Sequence, residues 1–282
     1  MINPQEPIGE PDQQRVAPYR DVAPGYPGLG SGLEYPAVPA GPGGWTFFDV
    51  GLLLIMALPA QLVAVAICMG GLHLFEWFSG LESTYPASLA DAPMVVAVQI
   101  VWWGMLVGFI YAVISIRHGL PFLPAIGWRS LDRPPGVYVL GGILLAVSVA
   151  AMAYLLPLAD GRMPIQDLID DRGSLVVLAF YGVLIAPVVE EIVFRGFLYA
   201  AIERASGPLV AVLITSVVFS LPHAWQYGWR WQNLLLVTYV GVMFGIARAR
   251  TQSVVPSTLL HVGYNGALFA GMFAAGDRLF TT

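Results

Sequence analysis

Lysine is missing altogether from this chain of 282 residues, whose 13 basic side chains are all arginine. Set against 18 acids they leave a formal charge of −5, so no basic stripe is available to follow a nucleic-acid backbone, and no nucleic-acid partner is expected. Cysteine is reduced to Cys68, inside an apolar run, which removes both a disulfide framework and a cysteine-based zinc site. Charge of either sign is scarce: 11% of residues are charged, where a soluble domain carries about a quarter. An ordinary soluble domain is therefore ruled out. What fills the space is apolar, with 57% hydrophobic residues and a mean hydropathy of +0.71.

The composition is uneven along the chain. Residues 1–44 hold 9 Pro and 8 Gly without apolar periodicity, and such a segment cannot bury enough surface to offset the entropy of ordering. They are expected to form a disordered tail, and the absence of a basic segment followed by an apolar stretch argues against a secretory signal. From Trp45 onward, apolar stretches of membrane-spanning length alternate with short polar connections. The expected spans are 46–72, 92–116, 135–158, 174–204, 207–224, 232–249 and 254–275. The fold class is thus all-α: a polytopic transmembrane helix bundle of about seven spans, with residues 45–173 as N-terminal helices and loops, 174–275 as a membrane core and 276–282 as a short tail.

Arginine in the connections sets the expected orientation. Under seven spans, Arg117, Arg129, Arg133, Arg204, Arg248 and Arg250 share one side, which should be cytoplasmic, while Glu76, Glu82, Asp91 and Asp160 to Asp171 fall on the other. The N-terminus is then cytoplasmic in a multi-pass protein of the cell membrane. Trp225, Trp229 and Trp231 read as an aromatic belt at the interface. His73 and His118, at span ends, read as solvated. Gly104-x-x-x-Gly108 and Gly241-x-x-x-Gly245 read as points of close helix approach within the bundle.

The informative residues are the ionisable ones inside spans. Val189-Glu190-Glu191-Ile192-Val193-Phe194-Arg195 puts three of them in an otherwise apolar helix, each at a cost of about 2.5–3.5 kcal/mol near a span centre. Glu191 and Arg195, four apart, share a face and can pair. Glu190 points about 100° away and has no partner on its own helix, which suits a general base or acid. The fifth span ends Phe219-Ser220-Leu221-Pro222-His223, and the seventh carries His261 and Asn265 one turn apart. Positions 190 and 223 are equidistant from the turn Ser206-Gly207-Pro208, so in an antiparallel pair they meet at equal depth, about 24 Å along the helices.

The order Glu-Glu-x-x-x-Arg, Phe-x-x-x-His, His-x-x-x-Asn, each in its own apolar segment, resembles the CPBP family, the CAAX-protease and bacteriocin-processing intramembrane proteases also called Abi proteins. The resemblance covers roughly residues 174–275. It implies that Glu190 activates water with help from His223, that His261 and Asn265 stabilise the oxyanion of a tetrahedral intermediate, and that the substrate is a membrane-associated protein or peptide, lipidated or not. Glu191 is assigned to the ion pair with Arg195 and to a share in the chemistry. No cofactor is required in this reading, and a zinc site built from His223, His261 and a Glu is the alternative, although no His-Glu-x-x-His is present and Asn is a poor zinc ligand. The rhomboid Gly-x-Ser-Gly is missed at Arg204-Ala205-Ser206-Gly207, and the presenilin Gly-x-Gly-Asp is missed at Gly276-Asp277, which Ala274 precedes. Two non-proteolytic readings stand beside this one: an immunity or scaffold protein that keeps a polar core, and a proton-linked transporter, against which the lack of an internal repeat argues.

Overall fold

A computed structural model describes residues 44–80, 91–156 and 163–276. The chain divides into Met1–Ala37 and Val38–Thr282. The first unit, with nearly all of the expected tail, lies outside the described residues, as does the tail 277–282.

Among the described residues the regular structure is helical throughout. The first helix, α1 (Phe47–Ser79), opens on a cap in which Asp49 Oδ2 accepts from the Thr46 backbone N–H at 2.8 Å, and it closes at Gly80, whose φ of 64° suits a helix end. Helix α2 (Ala92–Tyr111) runs on through a wide π-helical turn, Ala112–Arg117. A short helix, α3 (Phe122–Ala125), precedes α4 (Pro135–Leu155), which starts on a proline that has no N–H to leave unpaired. Helix α5 (Arg172–Phe180), capped by Asp171 accepting from the Ser174 amide at 2.7 Å, continues through a π-helical turn Tyr181–Ile185 into α6 (Ala186–Glu191). A second wide turn, Ile192–Leu198, leads into α7 (Tyr199–Ser220), and then come α8 (Trp231–Thr251) and α9 (Val254–Ala275).

Five continuous helical stretches are long and apolar enough to cross a membrane among the described residues: Phe47–Ser79, Ala92–Arg117, Pro135–Leu155, Arg172–His223 and Trp231–Thr251. The fourth makes two passes. Gly207, with φ 82° and ψ 169°, breaks it, and the chain returns alongside itself so that the rings of Phe194 and Phe219 lie 5.2 Å apart. Positions 194 and 219 are equidistant from the same turn as 190 and 223, so the expected antiparallel register holds. Helix α9 is long enough but less apolar, because Ser257, Thr258, His261 and Asn265 lie along it. With α9 the passes match the seven expected, and the chain is a multi-pass membrane protein. Exposed Leu54, Ile55, Leu58, Leu144, Val147 and Leu213 present the apolar surface that a lipid environment requires.

The larger buried core includes Leu53, Ile110, Val149, Phe197 and Phe244, and a smaller one joins Ala92 and Val96 to Ile169, Leu175 and Leu178. The closest crossing joins α4 to α9. A Cβ on Gly142 would collide with the Leu260 carbonyl, and one on Gly263 with the Val139 carbonyl. Backbone touches backbone there, on the turns of α9 that flank His261. The glycine pair on α8 behaves as expected, since Gly241 packs on Ser216 and Gly245 on Val212. The pair on α2 does not: Gly104 and Gly108 are exposed with no atom near where a Cβ would sit, so close approach within the bundle is not their role.

The segment after α2 is not a free loop. Ile126 is fully buried against Gly196, Val254 N–H donates to the Gly127 carbonyl at 2.9 Å, and Ser253 Oγ donates to the Arg129 carbonyl at 3.1 Å. His118, expected to be solvated, is instead largely buried, with Nε2 3.4 Å from Asp49 Oδ2. His73 does sit in the open, its side chain 77% exposed beside Glu76. Trp225, Trp229 and Trp231 are exposed, as an interfacial belt requires.

Candidate active site

Glu191 is fully buried, and so is Arg195, whose Nη1 donates to Glu191 Oε1 at 2.9 Å. The expected ion pair is therefore present. Arg195 also donates from Nη2 to the Gly241 carbonyl on α8 at 3.0 Å, and its guanidinium lies over the rings of Phe219 at 4.4 Å and Phe244 at 5.4 Å. A cation held by a carboxylate, a carbonyl and aromatic faces has exchanged much of its lost hydration for fixed partners.

His261 stands between the two carboxylates. Its Nδ1 is 3.3 Å from Glu191 Oε1 and its Nε2 is 3.8 Å from Glu190 Oε2. Both ring nitrogens face carboxylate oxygens, Nδ1 within hydrogen-bond distance of Glu191 and Nε2 beyond that distance from Glu190. Glu190 Oε2 is buried without a hydrogen-bond donor, as are Glu191 Oε2 and Arg195 Nε without partners of their own. Buried polar atoms rarely stay unpaired except where chemistry, water or a ligand uses them.

His223, at the end of the returning helix, lies within electrostatic reach of Glu190. Its Nδ1 lies 2.9 Å from the Phe219 carbonyl. A carbonyl only accepts, so Nδ1 carries the proton and the Nε2 lone pair of the neutral ring stays free. Phe219 separates the two imidazoles, its ring centroid 4.9 Å from that of His223 and 5.8 Å from that of His261.

Asn265 is placed differently from the others. Its Nδ2 donates at 2.6 Å to the Gly182 carbonyl, in the wide turn Tyr181–Ile185. One amide N–H is thereby committed to the backbone, and the other remains for a ligand. Glu190, Glu191, Arg195 and His261 thus lie side by side, His223 lies within electrostatic reach of Glu190, and Asn265 anchors α9 to the helix that carries the carboxylates. Among the described residues no group of three or more His, Cys, Asp or Glu is arranged to hold a metal ion.

Several contributors escaped the sequence reading. Tyr181, in the wide turn Tyr181–Ile185, lies within electrostatic reach of Glu190, and the Phe244 ring lies 4.6 Å from that of His261, tilted by 31°. Arg248, read as a marker of the cytoplasmic side, is buried, and its Nε donates to the Arg195 carbonyl at 3.1 Å. Phe244 carried only the signal of an apolar residue in an apolar helix, whereas Phe219 was legible as the first residue of Phe-x-x-x-His. For Arg248 the signal was available: it lies seven residues after Gly241, two turns along one helix face.

Fold and site together define a multi-pass membrane protein with a carboxylate–imidazole cluster buried inside its bundle. Residues 172–267 match a family of proteins described as Type II CAAX prenyl endopeptidase Rce1-like, so the CPBP resemblance holds over that segment. The chain is also 28% identical over 100 residues to a Bacillus subtilis (strain 168) protein named "Putative membrane peptidase YdiL". That similarity covers 36% of this chain and 39% of the relative's length, so the chain spans about two fifths of the relative it matches. No solved structure matches the chain.

Proposed function

We propose that this protein is an intramembrane endopeptidase, CAAX-protease-like, that hydrolyses a peptide bond in a membrane-associated protein or peptide. The observation that carries the reading is Glu190. Its Oε2 is buried with no donor, His261 lies 3.8 Å away and His223 lies within electrostatic reach, while its neighbour Glu191 is paired with Arg195. One carboxylate holds the structure and the other is left for chemistry.

In the proposed mechanism a water between Glu190 and His223 gives up its proton to the carboxylate or to the free His223 Nε2 as its oxygen attacks the scissile carbonyl. A positioned base of this kind contributes about 10²–10⁴-fold. An N–H of His261 and the spare N–H of Asn265 donate to the resulting oxyanion, a contact commonly worth about 3–4 kcal/mol in a site closed to water. The proton then passes to the leaving amine. Glu191 keeps His261 oriented through Nδ1. The name of the matched family makes a prenylated peptide the first substrate to test. The N-terminus is read as cytoplasmic from the arginine-rich connections.

The test compares new peptide termini in membranes from cells that express the natural protein or Glu190→Gln at matched levels. Termini that vanish in the variant, and vanish again in His223→Ala, are the expected outcome. Identical terminus profiles, with the variant rescuing the phenotype of a deletion, would replace the enzyme with a scaffold.

A further inference from the structure

The helix bearing the two glutamates is not regular just beyond them. Ile192–Leu198 winds as a π-helix, wider than an α-helix by about one residue per turn, and such turns recur at functional sites. One residue more or less before Arg195 rotates all that follows by about 100°. The wide turn therefore decides whether the Arg195 side chain reaches Glu191 and the Gly241 carbonyl together. A π-turn is costly in isolation and persists where its surroundings hold it.

Two side chains from elsewhere in the chain grip the backbone of this turn. Trp45, 2% exposed and just ahead of α1, donates from Nε1 to the Phe197 carbonyl at 3.0 Å, and its ring stacks on that of Phe197 at 5.4 Å and 8°. Arg204 locks Trp45 in place, donating from Nη2 to the Trp45 carbonyl at 2.7 Å with its guanidinium 4.4 Å over the indole. From α8, Arg248 donates from Nε to the Arg195 carbonyl at 3.1 Å, with its guanidinium over the Tyr199 ring at 5.0 Å. Arg195 and α8 are thus doubly tied: the Arg195 side chain holds a carbonyl of α8, and an α8 side chain holds the carbonyl of Arg195. Inside a membrane bundle, where water does not compete, carbonyls met by side chains in this way are strongly fixed.

We propose that Trp45 and Arg248 are positioning residues that clamp the wide turn Ile192–Leu198, and so set Arg195, Glu191 and His261 in register for the chemistry. The proposal rests on the proteolytic reading above. It ties the start of the first helix to the site, although no residue before α5 touches the carboxylates or imidazoles of the cluster through any contact described above.

The test uses the full chain in nanodiscs, labelled with ¹⁵N-histidine, as Trp45→Phe, Arg248→Met and Arg248→Lys. Trp45→Phe keeps an aromatic ring on Phe197 and removes only the N–H, so it stays informative should Arg248→Met fail to fold. The His261 ring signal, assigned with His261→Gln, is expected to move in Trp45→Phe and Arg248→Met and to return in Arg248→Lys, while the signal of exposed His73 stays fixed. Glu190-dependent termini should accumulate on the order of 10- to 100-fold more slowly in the same two variants, the range that a small misplacement of reacting groups produces. An unmoved His261 signal in folded variants overturns the proposal, as does a moved signal with termini accumulating at the natural rate. If the natural protein releases no Glu190-dependent termini, the proteolytic reading falls by itself, and the His261 signal alone then decides whether the clamp sets the register.

Discussion

Asp49 and Glu191 are both fully buried, and each faces one arginine and one histidine, yet the two clusters do different things. Asp49 sits in the first turn of α1, where its Oδ2 accepts from the Thr46 backbone at 2.8 Å and its Oδ1 from Arg117 at 2.7 Å. Both oxygens are engaged, the helix N-terminus favours the negative charge, and the Arg117 side chain is 51% exposed. That cluster is a cap with a path to water. Glu191 lies mid-helix, its Arg195 is wholly enclosed, and Oε2 is left without a donor. In the first cluster the atom without a partner is His118 Nε2, and in the second such atoms are on both carboxylates and on the guanidinium. The same three residue types make a cap where the carboxylates are saturated and a candidate site where they are not.

That contrast can be broken most sharply at the two arginines. Arg195→Met strands Glu191 as an uncompensated buried charge and is expected to cost about 3–5 kcal/mol, measured by unfolding in mixed micelles, with proteolysis abolished. Retained stability would mean that the pair contributes little. At the α4–α9 crossing, Gly263→Ala drives a methyl into the Val139 carbonyl, and relief of such overpacking typically costs about 1–3 kcal/mol. Because His261 is two residues away on α9, activity should fall further than stability, and an unchanged rate of terminus release would show that the crossing does not set the histidine. Arg117→Met, by comparison, should cost no more than about 1 kcal/mol, since the lost partner is half solvated, and proteolysis should continue at close to the natural rate. A large loss of activity in that variant would dissolve the distinction between cap and site.

Much of this architecture is legible in the residues themselves. Apolar run lengths locate most of the passes to within a few residues, because the hydrocarbon thickness sets a minimum length for each, while the first helix runs on to Ser79, past the expected end at 72. The Glu191–Arg195 pair and the equal depth of positions 190 and 223 follow from helical rise and the glycine–proline turn alone. Other readings failed for a shared reason. His118 and Arg248 sit at span ends and look like solvated or orienting charges, but segments remote in sequence bury them: α1 brings Asp49 to His118, and Arg195 offers its carbonyl to Arg248. Gly104-x-x-x-Gly108 has the same spacing as Gly241-x-x-x-Gly245, and only the second pair finds a helix opposite.

By itself the sequence determined the solvent of this protein, the number of times the chain crosses it and the identity of the groups that could not face lipid, since those depend on transfer free energies and on a helix period that every residue shares. Only the tertiary structure decided that His261 spans both glutamates, that Asn265 spends one N–H on Gly182, and that Trp45 and Arg248 close on a widened turn. Those relations depend on the rotation of one helix against another, which is set by glycine crossings and by which backbone carbonyls are open to a side chain, and neither is written in the local pattern of any one segment.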